Sequence, residues 1–116
     1  MEWSVIFHKK FAEWYETLSP SACKDIAIAL RLLQQSGPKL GRPYVDTIKG
    51  SSLKNLKELR VQHKGAPYRL LFVFDPLRQA IILVGGNKAK SKRWYEQNIR
   101  LAEKRFAEHL REIGEE

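Results

Sequence analysis

The 116-residue sequence has a single cysteine, Cys23, so no internal disulfide can staple it. Cys23 lies in a helical pattern beside Ile26 and Ala27, which predicts a buried, inert thiol and fits a reducing compartment. Nowhere does the sequence approach the roughly 18 consecutive apolar residues of a membrane span, and no apolar run follows a basic start. A soluble, cytoplasmic protein that engages no membrane is therefore expected. Histidine is also scarce. His8, His63 and His109 are far apart in sequence, no Cys/His pair has ligand spacing, and no P-loop or dinucleotide fingerprint occurs, so neither a metal nor a small-molecule cofactor is expected. No serine sits in a nucleophile-elbow pattern, which argues against an acyl-transfer triad. The remaining shortage is of acid. Against 21 Lys+Arg there are 13 Asp+Glu, a formal charge of +8 and an isoelectric point near 9.8, which biases the surface toward polyanions such as nucleic acid.

The sequence that is present fits one compact domain over residues 1–116, with 43% hydrophobic residues to build a core and no room for a second unit. Trp3, Val5 and Phe7 alternate with Glu2, Ser4 and Ile6 and predict a short first strand. Phe11, Trp14, Tyr15 and Leu18 then recur at helical spacing up to Ser19-Pro20, where Ser19 caps a second helix with Pro20 at its first position. That helix carries Ile26, Ala27, Leu30 and Leu33 and stops at Gly37-Pro38. Residues 39–52 read as a loop. Three strands follow as an antiparallel meander, with His63-Lys64-Gly65-Ala66-Pro67 and Asp75-Pro76-Leu77-Arg78-Gln79 as the two hairpin loops. The clearest helix comes last, with Tyr95, Ile99, Ala102, Phe106, Leu110 and Ile113 in three- and four-residue steps. The order predicts an α+β domain with helices on one face of a mostly antiparallel sheet and the other face partly open. Trp3, Phe7 and Trp14 are expected in the core.

Cations sit inside the strands. Arg60 lies within the run Leu56-Lys57-Glu58-Leu59-Arg60-Val61, and Arg69 lies within Tyr68-Arg69-Leu70-Leu71-Phe72-Val73-Phe74. A charge left unpaired in a buried strand is costly, so each needs a partner or an anionic ligand. Arginine forks match phosphate oxygens bidentately, and fixed cations stabilise the extra charge of a pentacovalent phosphorus transition state. With an RNA substrate the ribose 2′-hydroxyl is the nucleophile, so positioning, charge stabilisation and proton transfer suffice. Glu58, His63 and Tyr95 are the candidate proton-transfer groups. Gly85-Gly86 after the last strand is a weak candidate for an anion-binding nest. Structural readings compete at each position. Arg60 can pair with Glu58 or a cross-strand acid, Arg69 can pair with Asp75 or Glu58, and Lys88, Lys90, Lys92 and Arg93 can form a solvated loop. Trp94 and Tyr95 can simply open a helix.

The segments Leu40-Gly41-Arg42-Pro43, Val45-Asp46, Ile48-Lys49-Gly50-Ser51, Asn55-Leu56-Lys57-Glu58-Leu59-Arg60, Tyr68-Arg69-Leu70-Leu71-Phe72, Asp75-Pro76 and Gly86-Asn87-Lys88, in this order, resemble a phage-derived family in the HigB-type branch of the RelE/ParE toxin superfamily. The resemblance runs from Trp3 to about Leu110. It implies a RelE-like fold with two amino-terminal helices on one face and a carboxy-terminal helix. It also implies the toxin of a type II toxin–antitoxin pair, cleaving ribosome-bound mRNA without a metal and held by a helix-turn-helix, HigA-like antitoxin. Carried over by position, Arg60 and Arg69 hold the scissile phosphate, Lys88 stabilises the leaving oxygen, and Tyr95 stacks on or orients a base. Beside them, the basic residues Lys57, Lys90, Lys92 and Arg93 are candidate RNA-binding cations. RelE itself has lysines on the strand that here carries Glu58, which leaves the proton acceptor open. Fold alone does not decide the activity, because the ParE branch keeps the fold and inhibits DNA gyrase. A third reading is a phage-derived accessory protein that binds RNA or DNA.

Overall fold

The computed structural model describes residues 2–114. In chain order its elements are β1 (Ser4–Phe7), α1 (Lys9–Glu16), α2 (Pro20–Ser36), β2 (Val45–Thr47), β3 (Lys57–His63), β4 (Ala66–Phe74), β5 (Gln79–Asn87) and α3 (Trp94–Glu112). Short 3-10 turns occur at Gly37–Lys39 and Lys88–Lys90. The local signals act as expected at the helix ends. Ser19 Oγ accepts from the Ala22 N–H at 3.2 Å, Pro20 opens α2, and Gly37 at φ 55° closes it, with the Trp3 ring so near that any Cβ there would collide.

The strands form one sheet in the order β1-β5-β4-β3-β2. β1 runs parallel to β5, and the other neighbours are antiparallel. Side chains alternate between faces. On one face Leu59, Val61, Leu70, Phe72 and Ile82 pack against Phe11 of α1 and Ile26, Leu30 and Leu33 of α2. On the other, Leu71, Val73, Ile81, Leu83 and Val84 meet Trp94, Ala102 and Phe106 of α3. A bulge between Leu71 and Phe72 in the pairing lets both Leu83 and Val84 turn toward α3.

Several expectations need correction. The helices do not all share a face, because α3 covers β4 and β5 on the side opposite α1 and α2. Residues 39–52 are not only loop: Val45–Thr47 adds an edge strand to β3. The first hairpin turns on Lys64 and Gly65 alone, at φ 48° and 80°, so Ala66 and Pro67 belong to β4. Both residues sit in the left-handed region that two-residue hairpin turns of this kind require. Cys23 is only partly buried, Trp3 and Trp14 are half-buried, and Phe7 is 36% exposed.

Gly85 and Gly86 lie within β5 and form no nest. A Cβ on Gly85 would come 2.3 Å from the Trp14 ring, and one on Gly86 would come 2.6 Å from Trp94 Nε1. The glycines let an indole approach each face of the same strand. Polar contacts then fasten α3 lengthwise. Ser51 Oγ and the Ser52 N–H donate to Glu103, each at 2.8 Å, Arg105 donates to the Leu83 carbonyl at 2.7 Å, and buried His109 Nε2 lies 2.8 Å from Asp75 Oδ2. Asp75 also accepts from the Leu77 and Gln79 N–H groups at 2.9 Å, which shapes the β4–β5 turn. Burial pushes its carboxyl up, but the hydrogen bonds from His109 and Gln79 outweigh this and hold it below the usual carboxylate range.

Two measurements follow. Gly85→Ala forces a methyl into the Trp14 ring and should destabilise the fold by about 1–3 kcal/mol, read as a lower thermal midpoint. Because the folded pKa of Asp75 is depressed, its stabilising contribution is present above the unfolded value of about 3.9 and is lost as pH falls through the folded one. Thermal melts of Asp75→Asn should show a shallower loss of stability in acid than the wild type; identical acid slopes would contradict this.

Candidate nucleic-acid interface

Register brings the strand arginines together. Arg60 and Arg69 are direct cross-strand partners in the β3–β4 hairpin, and both project from the face that carries α3. Glu58, two residues before Arg60, shares that face. Its Oε2 accepts from Arg60 Nε at 3.2 Å and from the Arg60 Nη2 at 3.1 Å. Its other oxygen, Oε1, accepts from the Tyr95 hydroxyl at 2.6 Å and lies 3.5 Å from Arg69 Nε. Glu58 is 5% exposed and Arg69 8%. Arg69 Nη1 donates to the Tyr68 carbonyl at 2.9 Å, but its buried Nε makes no hydrogen bond. A charged donor is thus buried in ion-pair range of a carboxylate without completing a hydrogen bond to it.

Tyr95 reaches this group because of Gly86. Arg69 is paired with Gly86 across β4 and β5, and the Trp94 indole lies on that glycine. Seating Trp94 there sets the start of α3, and the next side chain, Tyr95, extends over Glu58. Lys88 Nζ stands 6.0 Å from the centre of the Tyr95 ring. Burial and the Glu58 carboxylate, with Arg69 partly opposing them, push the Tyr95 hydroxyl up to about 12. At neutral pH Tyr95 is therefore a phenol that donates, not a phenolate that accepts.

The structure thus brings Arg60, Arg69, Lys88, Tyr95 and Glu58 into one group and places other candidates elsewhere. His63 lies on the opposite face, its Nδ1 2.7 Å from Asp25 Oδ2 and its ring 6.3 Å from that of Tyr68, so it is no proton-transfer partner of the arginines. Lys57 also has the parity of Leu59 and turns away from them, toward the β2 edge. Arg93 is occupied by Glu96 through contacts of 2.9 and 2.8 Å. Lys90 and Lys92 are exposed, flanking the group on the way into α3. Of the alternatives for Arg69, Glu58 is its acidic neighbour, and Asp75 is engaged by His109 instead.

Asp46 was missed in the sequence. It stands opposite Glu58 in the β2–β3 pairing, and its Oδ2 lies 3.2 Å from the Arg60 Nη2 and 3.0 Å from the Arg42 Nη2. Hydrogen bonds from Arg42 and then the Thr47 N–H hold its carboxyl below the usual range. The missing signal was β2 itself, since a three-residue edge strand has no readable period. Among the described residues no three His, Cys, Asp or Glu side chains converge as metal ligands.

Removing Glu58 should show how far this group depends on its carboxylate. Glu58→Ala leaves Arg69 buried without its carboxylate and should cost about 3 kcal/mol of stability, with inorganic phosphate raising the thermal midpoint of this variant more than that of the wild type. The tyrosine can be checked by ultraviolet titration, where Tyr95→Phe should remove the component that ionises near about pH 12.

A family model described as phage-derived protein, Gp49-like, matches residues 13–107. The chain is 43% identical over 104 residues to the candidate toxin HigB2 of Mycobacterium tuberculosis, an alignment covering 88% of this chain and 52% of that protein. It is 45% identical over 103 residues to the candidate toxin HigB3 of the same organism, covering 88% of this chain and 89% of that one. The chain therefore spans about half the length of HigB2 and most of HigB3. Among solved structures, a mutant of the E. coli toxin RelE in its free state superposes with a TM-score of 0.60 at 13% identity, covering 86% of this chain and 98% of that one. That likeness concerns the fold, a mixed α+β arrangement around a five-stranded sheet. On the extent of the family match, this chain belongs to the phage-derived Gp49-like family and carries it on a RelE-like fold.

Proposed function

We propose that the protein is the toxin of a type II toxin–antitoxin pair, a single cytoplasmic domain over residues 1–116 that cleaves mRNA on the ribosome by attack of the ribose 2′-hydroxyl. One observation carries this reading: two cross-strand arginines meet on an α3-bearing sheet face beside a carboxylate, a protonated tyrosine and a lysine. The similarity to HigB-type proteins supports the toxin class.

The chemistry follows from the positions. A phosphate of the message takes the guanidinium groups of Arg60 and Arg69, including the unused Nε of Arg69, in place of part of their contact with Glu58. Glu58, released from full pairing, accepts the proton of the 2′-hydroxyl as it attacks phosphorus. The bond to the 5′-oxygen breaks, and Lys88 stabilises the charge that develops there. Tyr95, a donor at neutral pH, orients the substrate or stacks on a base. The basic surface, with Lys90 and Lys92 at its margin, supports docking to ribosomal RNA. A helix-turn-helix antitoxin is the partner expected to block the site.

Expression without the neighbouring gene, with RNA 5′ ends mapped across translated messages, tests the reading. In-frame cuts should appear with the wild type and fall by about 100-fold or more with Arg69→Ala, the size of effect seen when one transition-state donor is removed. Growth arrest with intact messages and DNA damage signalling would point to gyrase instead, and absence of arrest to an accessory nucleic-acid binder.

A further inference from the structure

The arginine pair does not end at β3. Asp46 Oδ2 is shared by Arg60 and Arg42, so the cationic line continues from Arg69 through Arg60 to Arg42 at the β2 edge. Beyond Arg42 the surface folds inward into a cleft of about 250 Å³, lined among others by Lys39, Arg42, Asp46 and Lys57. Lys57 is paired with Thr47 across β2 and β3, and Lys39 ends the 3-10 turn after α2. Asp46 is the single carboxylate among the lining residues, and it is already engaged by two arginines. Neither Lys39 nor Lys57 has a carboxylate within 4 Å among the described residues, as the ion pairs found there involve other cations.

We infer that this edge cleft is a second phosphate subsite, in which Lys39, Lys57 and Arg42 hold a backbone phosphate neighbouring the one at Arg60 and Arg69. The inference rests on the reading that the arginine pair binds RNA, and it adds the path of the strand. The ligand is a single-stranded polynucleotide, because the line of cations bends around the three-residue lip of β2, from one sheet face to the other. A flexible backbone follows such a bend, whereas a duplex would have to be distorted. Arg42 links the two subsites. An exposed ion pair such as Arg42–Asp46 adds little stability, but it orients Arg42 between Arg60 and the cleft. The cleft also gives a role to Lys57, which the arginine face does not use, and to the Gly41-Arg42-Pro43 segment.

The experiment uses 2′-O-methyl oligouridylates, which bind but cannot be cleaved by 2′-hydroxyl attack, as fluorescent dinucleotide and hexanucleotide probes over about 50 to 200 mM salt. The Lys39→Ala/Lys57→Ala double variant should lose roughly fivefold or more in affinity for the hexanucleotide, with the salt slope reduced by about 0.7 for the lost phosphate contact. The loss for the dinucleotide, which has one internucleotide phosphate, should be much smaller. Lys39→Glu, on an exposed turn, should shift hexanucleotide binding in the same direction and serves as the check should the double variant fold poorly. Equal losses for both probes, or no loss for either, while Arg60→Ala abolishes binding, would overturn the subsite and leave the arginine site standing. Unchanged binding of both probes in Arg60→Ala would overturn the arginine site and the subsite together.

Discussion

The Glu58 carboxylate is the point on which the arrangement depends. It is buried in a strand, and its two oxygens are divided between Arg60 on one side and Tyr95 and Arg69 on the other. Without it the buried Arg69 guanidinium would have no acidic neighbour, and two arginines facing each other across a hairpin would repel. Pairs of this kind add little net stability, because desolvation offsets much of the attraction, but breaking one is expensive. The value of Glu58 lies in position. It ties both arginines to one carboxylate while leaving the Nε of Arg69 without a hydrogen bond.

The rest of the fold serves that placement. α1 and α2 fill one sheet face with a conventional apolar core, which keeps β3 and β4 rigid beneath the arginines. α3 is set by a contact of a different kind. Gly86 has no side chain, the Trp94 indole occupies the space, and Tyr95 is thereby carried to Glu58. Further along, Glu103, Arg105 and His109 fix the helix to the loop at Ser51 and Ser52, to β5 and to the β4–β5 turn through polar contacts. One strand pair and one helix start thus place Glu58, Arg60, Arg69 and Tyr95, and the 3-10 turn after β5 adds Lys88.

Much of this was legible in the sequence, and the parts that were not share a cause. Ser19-Pro20 and Gly37-Pro38 announce both ends of α2 because caps and breakers act locally. The stripe from Tyr95 to Leu110 announces α3 for the same reason. Arg60 and Arg69 stand out as cations within apolar runs, yet their meeting depends on the hairpin register. That register turns on Lys64 and Gly65 alone, tighter than the five-residue loop the sequence suggests. Lys57 and His63 are separated from Glu58 and Arg60 by the same alternation, which assigns them to the opposite face once β3 is known to be regular throughout. Asp46 was hidden because β2 is too short to show a period. Gly85 and Gly86 looked like a loop, since the sequence does not reveal that Trp14 and Trp94 approach from either side.

The central claim is that Arg60 and Arg69 form a phosphate site held in readiness by Glu58. The most direct test is nuclear magnetic resonance of the arginine Nε–H signals during titration with a non-cleavable 2′-O-methyl dinucleotide. The account predicts that the Arg69 Nε–H, free of a hydrogen bond in the unliganded protein, shifts strongly with the Arg60 signal as phosphate displaces part of their contact with Glu58. Saturation of binding with both arginine signals unmoved, while only surface lysines respond, would contradict it.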